Sequence, residues 1–339
     1  MKKKILIISI VIAAILVAVV GYVVFADKMN IPKNSVYYWK TNLCLDDEEL
    51  DFLERHDIGR MYLRFFDVDI NDNNSFSDKC APVASLDMFY FGEEFLHNME
   101  NIDIVPVVFI TKAAIREYAT FTDDLAHRLY AMCNGFGFTI GEVQFDCDWT
   151  ESTRDDFFQF LKDERQALKK YFGKDIMLSS TIRLHQLAQT PPDVEYGVLM
   201  CYNTGRFKNF DTKNSILDIE DIRPYMKYLK SYKLPLSLAL PTYSWYVEFD
   251  ENKKFVRLNR SDYDDYQIKN VEDNVYELEI EYQGQESRYV RYEQVSSETI
   301  LLAKKMVEDQ CGSLPIVLYH LDSQQLSKYS EDEIDSFFN

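Results

Sequence analysis

The sequence predicts an α/β chain folded as a (β/α)8 TIM barrel, and three observations carry that expectation. Eight short runs rich in β-branched or aromatic residues recur between residues 36 and 320. Helical patterns separate most of them. The runs are continuously apolar, as strands covered on both faces of a parallel sheet are. A doubly wound sheet is the alternative, but no glycine-rich turn follows the first run, so its dinucleotide-binding form has no support.

Strand 1 is Val36–Trp39, and a helix follows over Asp46–Asp57, with an acidic first turn and Gly59 as its stop. Strand 2 is Met61–Phe66, then come a polar loop and a helix over Gly92–Met99. Strand 3, Ile104–Ile110, precedes a helix ending near Asn134-Gly135, and strand 4, Val143–Trp149, feeds a helix over Thr153–Phe172 that stops at Gly173. Strand 5, Ile176–Ile182, opens into a proline-containing loop, and strand 6, Gly197–Tyr202, leads to a helix over Asp218–Tyr232. Strand 7, Leu236–Leu240, runs on to Tyr243-Ser-Trp245. Strand 8, Pro315–His320, precedes a terminal helix over Glu331–Phe338 capped by Ser330. Residues 246–295 break the rhythm: Val247–Val256, Val275–Tyr282 and Arg288–Tyr292 alternate apolar and polar residues. They predict a β-rich insertion after strand 7, lying on the catalytic rim as a lid or a substrate-contacting flap.

The chain opens Met-Lys-Lys-Lys, and Ile5–Phe25 follows without a charge, 21 residues and long enough to cross a bilayer as a helix. Lysines before such a run stay in the cytoplasm. Residues 1–30 are therefore expected to be a transmembrane signal anchor. They would make the protein single-pass and membrane-anchored, with residues 31–339 as a barrel domain on the periplasmic or extracellular side. A cleaved signal peptide, hence a secreted protein, is the alternative, because Val24-Phe25-Ala26 suits a signal peptidase. The formal net charge of −19 disfavours nucleic acid as a partner. With 23 phenylalanines and 23 tyrosines the chain can fill a large core and still offer stacking platforms. The six cysteines form no CxxC pair. Cys147 and Cys201 are expected to face the helix layer as small hydrophobes, and a Cys44–Cys80 disulfide is allowed outside the membrane.

The carboxyl ends of barrel strands hold the chemistry in this fold. On strand 4, Asp146 and Asp148 share one face, about 6.6 Å apart along the strand. The strand ends supply Trp39, Arg64, Lys112, Asp146, Asp148, Glu151, Arg183, His185, Tyr202, Asn203, Tyr243, Trp245, His320 and Asp322. Aromatic rings stack on sugar faces, and Asp, Asn and Arg pair with hydroxyls, so the set suits a carbohydrate ligand. Buried barrel polar residues that pair only with one another are the alternative reading.

Phe145-Asp146-Cys-Asp148-Trp149-Thr-Glu151 resembles the strand-4 signature DxxDxDxE of family-18 glycoside hydrolases, the chitinases and their relatives. Met200-Cys-Tyr202-Asn203 is similar to their strand-6 M-x-Y-D/N motif. The resemblance implies that Asp148 orients the substrate's N-acetyl group, whose oxygen is the nucleophile, and that Tyr202 assists. The family's acid glutamate falls on Thr150 and its first aspartate on Val143; Glu151 comes one residue late, which on a regular strand turns it to the other face. Over roughly residues 35–325 the chain also resembles an uncharacterised bacterial family of membrane-anchored or secreted barrel proteins with D-x-D-W-T-E and L-M-x-Y-N segments. These readings give Asp146, Asp148, Glu151 and Tyr202 as catalytic candidates, with Trp39, Arg64, Arg183, His185, Asn203, Tyr243, Trp245, His320 and Asp322 binding substrate.

A retaining pair of Glu151 and Glu248 is a second arrangement. The segment from Asp67 to Asp78 has calcium-loop spacing but lacks the glycine and the final glutamate. His185 and His320 could join Asp146 on a metal, yet no HxH or HExxH occurs. No metal and no cofactor is expected. A nucleophile elbow and a P-loop are absent from the sequence. The expected function is a glycoside hydrolase acting on an envelope or extracellular glycan; the alternative is a non-catalytic barrel that binds a glycan or an envelope partner.

Overall fold

The computed structural model describes residues 32, 34–70, 79–87, 99–259, 269–272, 274–282 and 285–339. The eight apolar runs become eight parallel strands: β1 (Asn34–Tyr38), β2 (Arg60–Ile70), β4 (Asp103–Ile110), β5 (Glu142–Cys147), β6 (Met177–Arg183), β7 (Tyr196–Met200), β8 (Leu236–Pro241) and β14 (Ile316–Tyr319). Each pairs in parallel with its neighbour, and β1 pairs with both β2 and β14, which closes the barrel. β2 outruns the barrel and takes β3 (Cys80–Val83) as an antiparallel partner.

Strand β5 shows why a buried strand can still be polar on one face. Its even positions point into the lumen, where each finds a partner. Glu142 accepts from Ser179 Oγ (2.5 Å) and pairs with Arg60 (3.0 Å). Gln144 accepts from the Tyr37 hydroxyl (2.6 Å), and Asp146 from Thr181 Oγ1 (2.6 Å). The odd positions face the helices, so Phe145 meets Phe160 edge-on at 5.0 Å and Trp149 lies parallel to Phe157. Polarity on this face of β5 is tolerated because Glu142, Gln144 and Asp146 are each paired.

The helices start and stop where their end chemistry dictates. In α1 (Asp47–Arg55), Asp46 and Glu49 form a capping box. Helices α2 (Thr122–Phe136) and α3 (Arg154–Phe172) each end on a glycine with positive φ, Gly137 and Gly173. Helix α2 thus ends near Asn134-Gly135, as expected. The expected helix over Asp218–Tyr232 is broken into α4 (Ile219–Ile222), a 3-10 turn and α5 (Met226–Leu229). Pro224 explains the break: it has no N–H to donate and restrains the residue before it. The expected helix over Gly92–Met99 lies outside the described residues up to position 98, and so does most of the calcium-like loop.

The insertion is β-rich as expected. β9 (Ser244–Phe249), β10 (Phe255–Asn259), β11 (Lys269–Glu272), β12 (Val275–Tyr282) and β13 (Gln285–Gln294) form an antiparallel sheet in the order β10-β9-β13-β12-β11. Helix α6 (Ser297–Cys311) returns the chain to β14, and α7 (Ser323–Leu326) and α8 (Glu331–Phe338) close it, α8 on the expected Ser330 cap. All six cysteines are free thiols; Cys147 and Cys201 are buried, Cys44 is exposed, and it forms no bridge with Cys80. Among the described residues no helix is long and apolar enough to cross a membrane, and the expected anchor lies outside them.

Candidate binding site at the barrel mouth

Arg183 at the end of β6 organises the mouth. Its Nη2 lies 3.1 Å from Asp146 Oδ1, its Nε bonds Asp148 Oδ1, and its Nη1 contacts the Met200 sulfur. One guanidinium thus spans Asp146 of β5 and Asp148 just past its end, two residues apart and so on one face. Burial opposes the arginine's charge, but Asp146 and Asp148 outweigh it and hold the group protonated. Asp146 is 2% exposed, and burial pushes its carboxyl above the usual range, with Arg183 opposing and Asp148 adding to the rise. Asp148 lies just past the strand, its side chain 41% exposed.

Two abutting cavities open there, about 210 and 220 Å³, sharing Arg183, Met200, Tyr202 and Asn203. The first adds Trp39, Arg64, Asp67, Asp146 and Tyr319; the second adds Asp148, His185, Thr204 and Tyr225. Arg64 holds Asp67 through two bonds and lies 5.3 Å from the Trp39 ring centre. Tyr202 is buried and stacks on Tyr319 at 4.7 Å, and its hydroxyl has no hydrogen-bond partner. Burial raises that hydroxyl's pKa well above the tyrosine norm, so it stays a neutral donor. Asn203, at φ 53°, accepts from the Tyr243 hydroxyl (2.7 Å). Among the described residues, no group of three or more His, Cys, Asp or Glu could hold a metal.

No family model and no curated protein matches the sequence. Solved structures match the fold. A chitinase from Chromobacterium violaceum superposes with a TM-score of 0.53 at 11% identity, over 90% of this chain and 96% of its own. An immunomodulatory chitinase from Trichuris suis gives 0.53 at 11%, over 90% and 98%. The spore cortex-lytic enzyme SleL of Bacillus megaterium gives 0.51 at 12%, over 91% and 75%. The barrel is chitinase-like in fold.

In this chitinase-like barrel the mouth brings together Trp39, Arg64, Asp146, Asp148, Arg183, His185, Tyr202 and Asn203 from the expected set, with Tyr243 packed edge-on behind Tyr202. Besides Tyr243, four expected residues lie outside both cavities. Glu151 is exposed on the turn into α3, as its position one residue past the strand's parity dictates. Trp245 sits in β9 opposite Glu293 of β13, and its indole N–H is bonded to that carboxylate (2.8 Å). His320 is buried just past β14 and lines neither cavity. Asp322 caps α7 and pairs with Lys40 (3.2 Å). Glu248 is buried under Arg257 (2.8 Å) in the insertion sheet and also lies away from the cavities. No described residue of the insertion lines either cavity, so the expected substrate-contacting flap is not formed by them.

Tyr319 and Tyr225 escaped the sequence reading. Tyr319 shares the lumen parity of Val317, a signal available once strand 8 is ended at residue 319 rather than 320. Tyr225 reaches the second cavity from the 3-10 turn that Pro224 imposes.

Proposed function

We propose that this chain is a carbohydrate-binding barrel that holds a glycan at its mouth without hydrolysing it. One observation carries the reading: Arg183 engages both strand aspartates while Thr150 stands at the position where the resemblance puts the acid. Glycoside hydrolysis needs a carboxylic acid that reaches the glycosidic oxygen. The carboxylates that line the two cavities, Asp67, Asp146 and Asp148, are each ion-paired to Arg64 or Arg183. Binding is better served. Trp39 is half-buried and offers a ring face, and the buried Tyr202 hydroxyl lacks a partner. Leaving such a group unsatisfied costs about 1–3 kcal/mol, which a sugar oxygen would relieve.

The test is a panel of β-1,4-linked N-acetylglucosamine oligomers, cello-oligomers and peptidoglycan fragments, scored for heat of binding and for release of reducing ends. Binding without release is the expected result. Hydrolysis is the second reading, favoured by the exposure of the Asp148 carboxylate at the mouth. Release that disappears in Asp148→Asn would establish it and displace the first. No binding anywhere in the panel would sink both.

The binding would act outside the cytoplasm, on a domain tethered by residues 1–30. Protease added to intact spheroplasts is expected to digest the barrel domain; full protection would reverse the topology.

A further inference from the structure

Residues 203–218, between β7 and α4, carry Asn203 and Thr204 into the mouth. The base of this loop is a tight crossing. Thr204 N donates to Ile216 O (3.4 Å) and Gly205 N to Ser215 O (3.1 Å). A Cβ on Gly205 would stand 2.9 Å from Ser215 Cα, so only glycine fits there without a shift. The tip of the loop turns back, and the carbonyl oxygens of Phe207, Asn209 and Phe210 converge on the Arg291 guanidinium (3.0, 2.9 and 2.8 Å).

Arg291 belongs to β13 of the insertion and is 1% exposed. Its Nε donates to Glu293 Oε1 (2.6 Å). The other carboxylate oxygen of Glu293 accepts from Ser215 N (2.9 Å), Ser215 Oγ (2.5 Å) and Trp245 Nε1 (2.8 Å). A buried ion pair adds little net stability, but a fully satisfied one fixes a unique geometry. A planar guanidinium can hold three carbonyls at set angles, and an ammonium cannot.

We propose that Arg291 and Glu293 are positioning residues: they clamp the 203–218 loop by its tip and its base and so hold Asn203 and Thr204 in the ligand-competent arrangement. The β insertion then sets the affinity of the mouth without lining it. This rests on the glycan-binding reading, since the affinity concerned is that of the mouth for a sugar.

Hydrogen exchange on the full chain in detergent, with and without the N-acetylglucosamine tetramer, tests the clamp in Arg291→Lys and in Gly205→Ala. The second variant pries the loop base while leaving the buried pair intact, and it carries the test if Arg291→Lys does not fold. The amides of Thr204, Gly205 and Ser215 are expected to exchange about tenfold faster in either variant, with barrel strands unchanged. The tetramer's Kd is expected to rise about tenfold, because the competent loop state is less populated. Faster exchange confined to residues 206–212, or a loosened loop with wild-type Kd, would overturn the proposal. If the wild type binds no tetramer, the glycan reading fails for that sugar. The clamp is then decided by whether Thr204 and Gly205 loosen in Arg291→Lys.

Discussion

Replacing Arg183 with methionine is expected to abolish glycan binding and to cost the fold about 3 kcal/mol, the penalty for removing one partner of a buried ion pair. Asp146 would keep only the Thr181 hydroxyl as a bonded partner, at 2% exposure. Burial already raises this carboxyl, and without Arg183 it rises further. The pH dependence follows from that direction. A group whose folded pKa lies above its unfolded value of about 3.9 gives full stability below that value and loses it as pH rises through the folded pKa. The gap between the urea midpoints of wild type and variant should therefore close near pH 4 and widen toward neutrality. Adding Asp146→Asn should recover stability without recovering binding. A gap that does not change with pH would mean that Arg183 acts by packing rather than by charge.

Glu164→Leu is expected to act in the opposite direction. Glu164 lies in the buried stripe of α3, between Leu161 and Leu168, and neither carboxylate oxygen finds a hydrogen bond. Burial, helped by Asp123, pushes its carboxyl well above the glutamate norm. A polar group buried without a partner costs about 1–3 kcal/mol, so the leucine variant should be more stable by about that amount. The sign again follows from a raised pKa. Wild-type stability declines as pH rises from about 4.3, where the unfolded chain ionises and the folded one does not. The gain in melting temperature should therefore be smaller at pH 4 than at pH 7. A leucine variant that is less stable at both values would show that the carboxyl has a partner after all.

The strands were legible because they are continuous apolar runs, and the shared face of Asp146 and Asp148 because parity needs no knowledge of neighbours. The insertion was legible from its alternation. Partnership was not. Nothing in the sequence says that Arg183 bridges Asp146 and Asp148, since the bridge depends on the register of β5 against β6. Trp245 and Glu293 face each other only because β9 and β13 pair, 48 positions apart in the chain. At the strand ends one residue decides the outcome. Tyr319 faces the lumen and His320 does not line it, and Glu151 misses the mouth by the same single step.

The ring of aromatics at the mouth has an optical consequence. Tyr319 lies 4.7 Å from Tyr202, 5.5 Å from Tyr243, 5.6 Å from Tyr37 and 5.8 Å from Trp39. Chromophores this close couple their transitions, and light absorbed by the tyrosines drains to the nearest indole. Of the three tryptophans, Trp149 and Trp245 are buried, and Trp39 alone lines the mouth, beneath the Arg64 guanidinium. Trp39 is thus an emitter standing where a ligand would sit, and the tyrosine light that reaches it reports on the mouth.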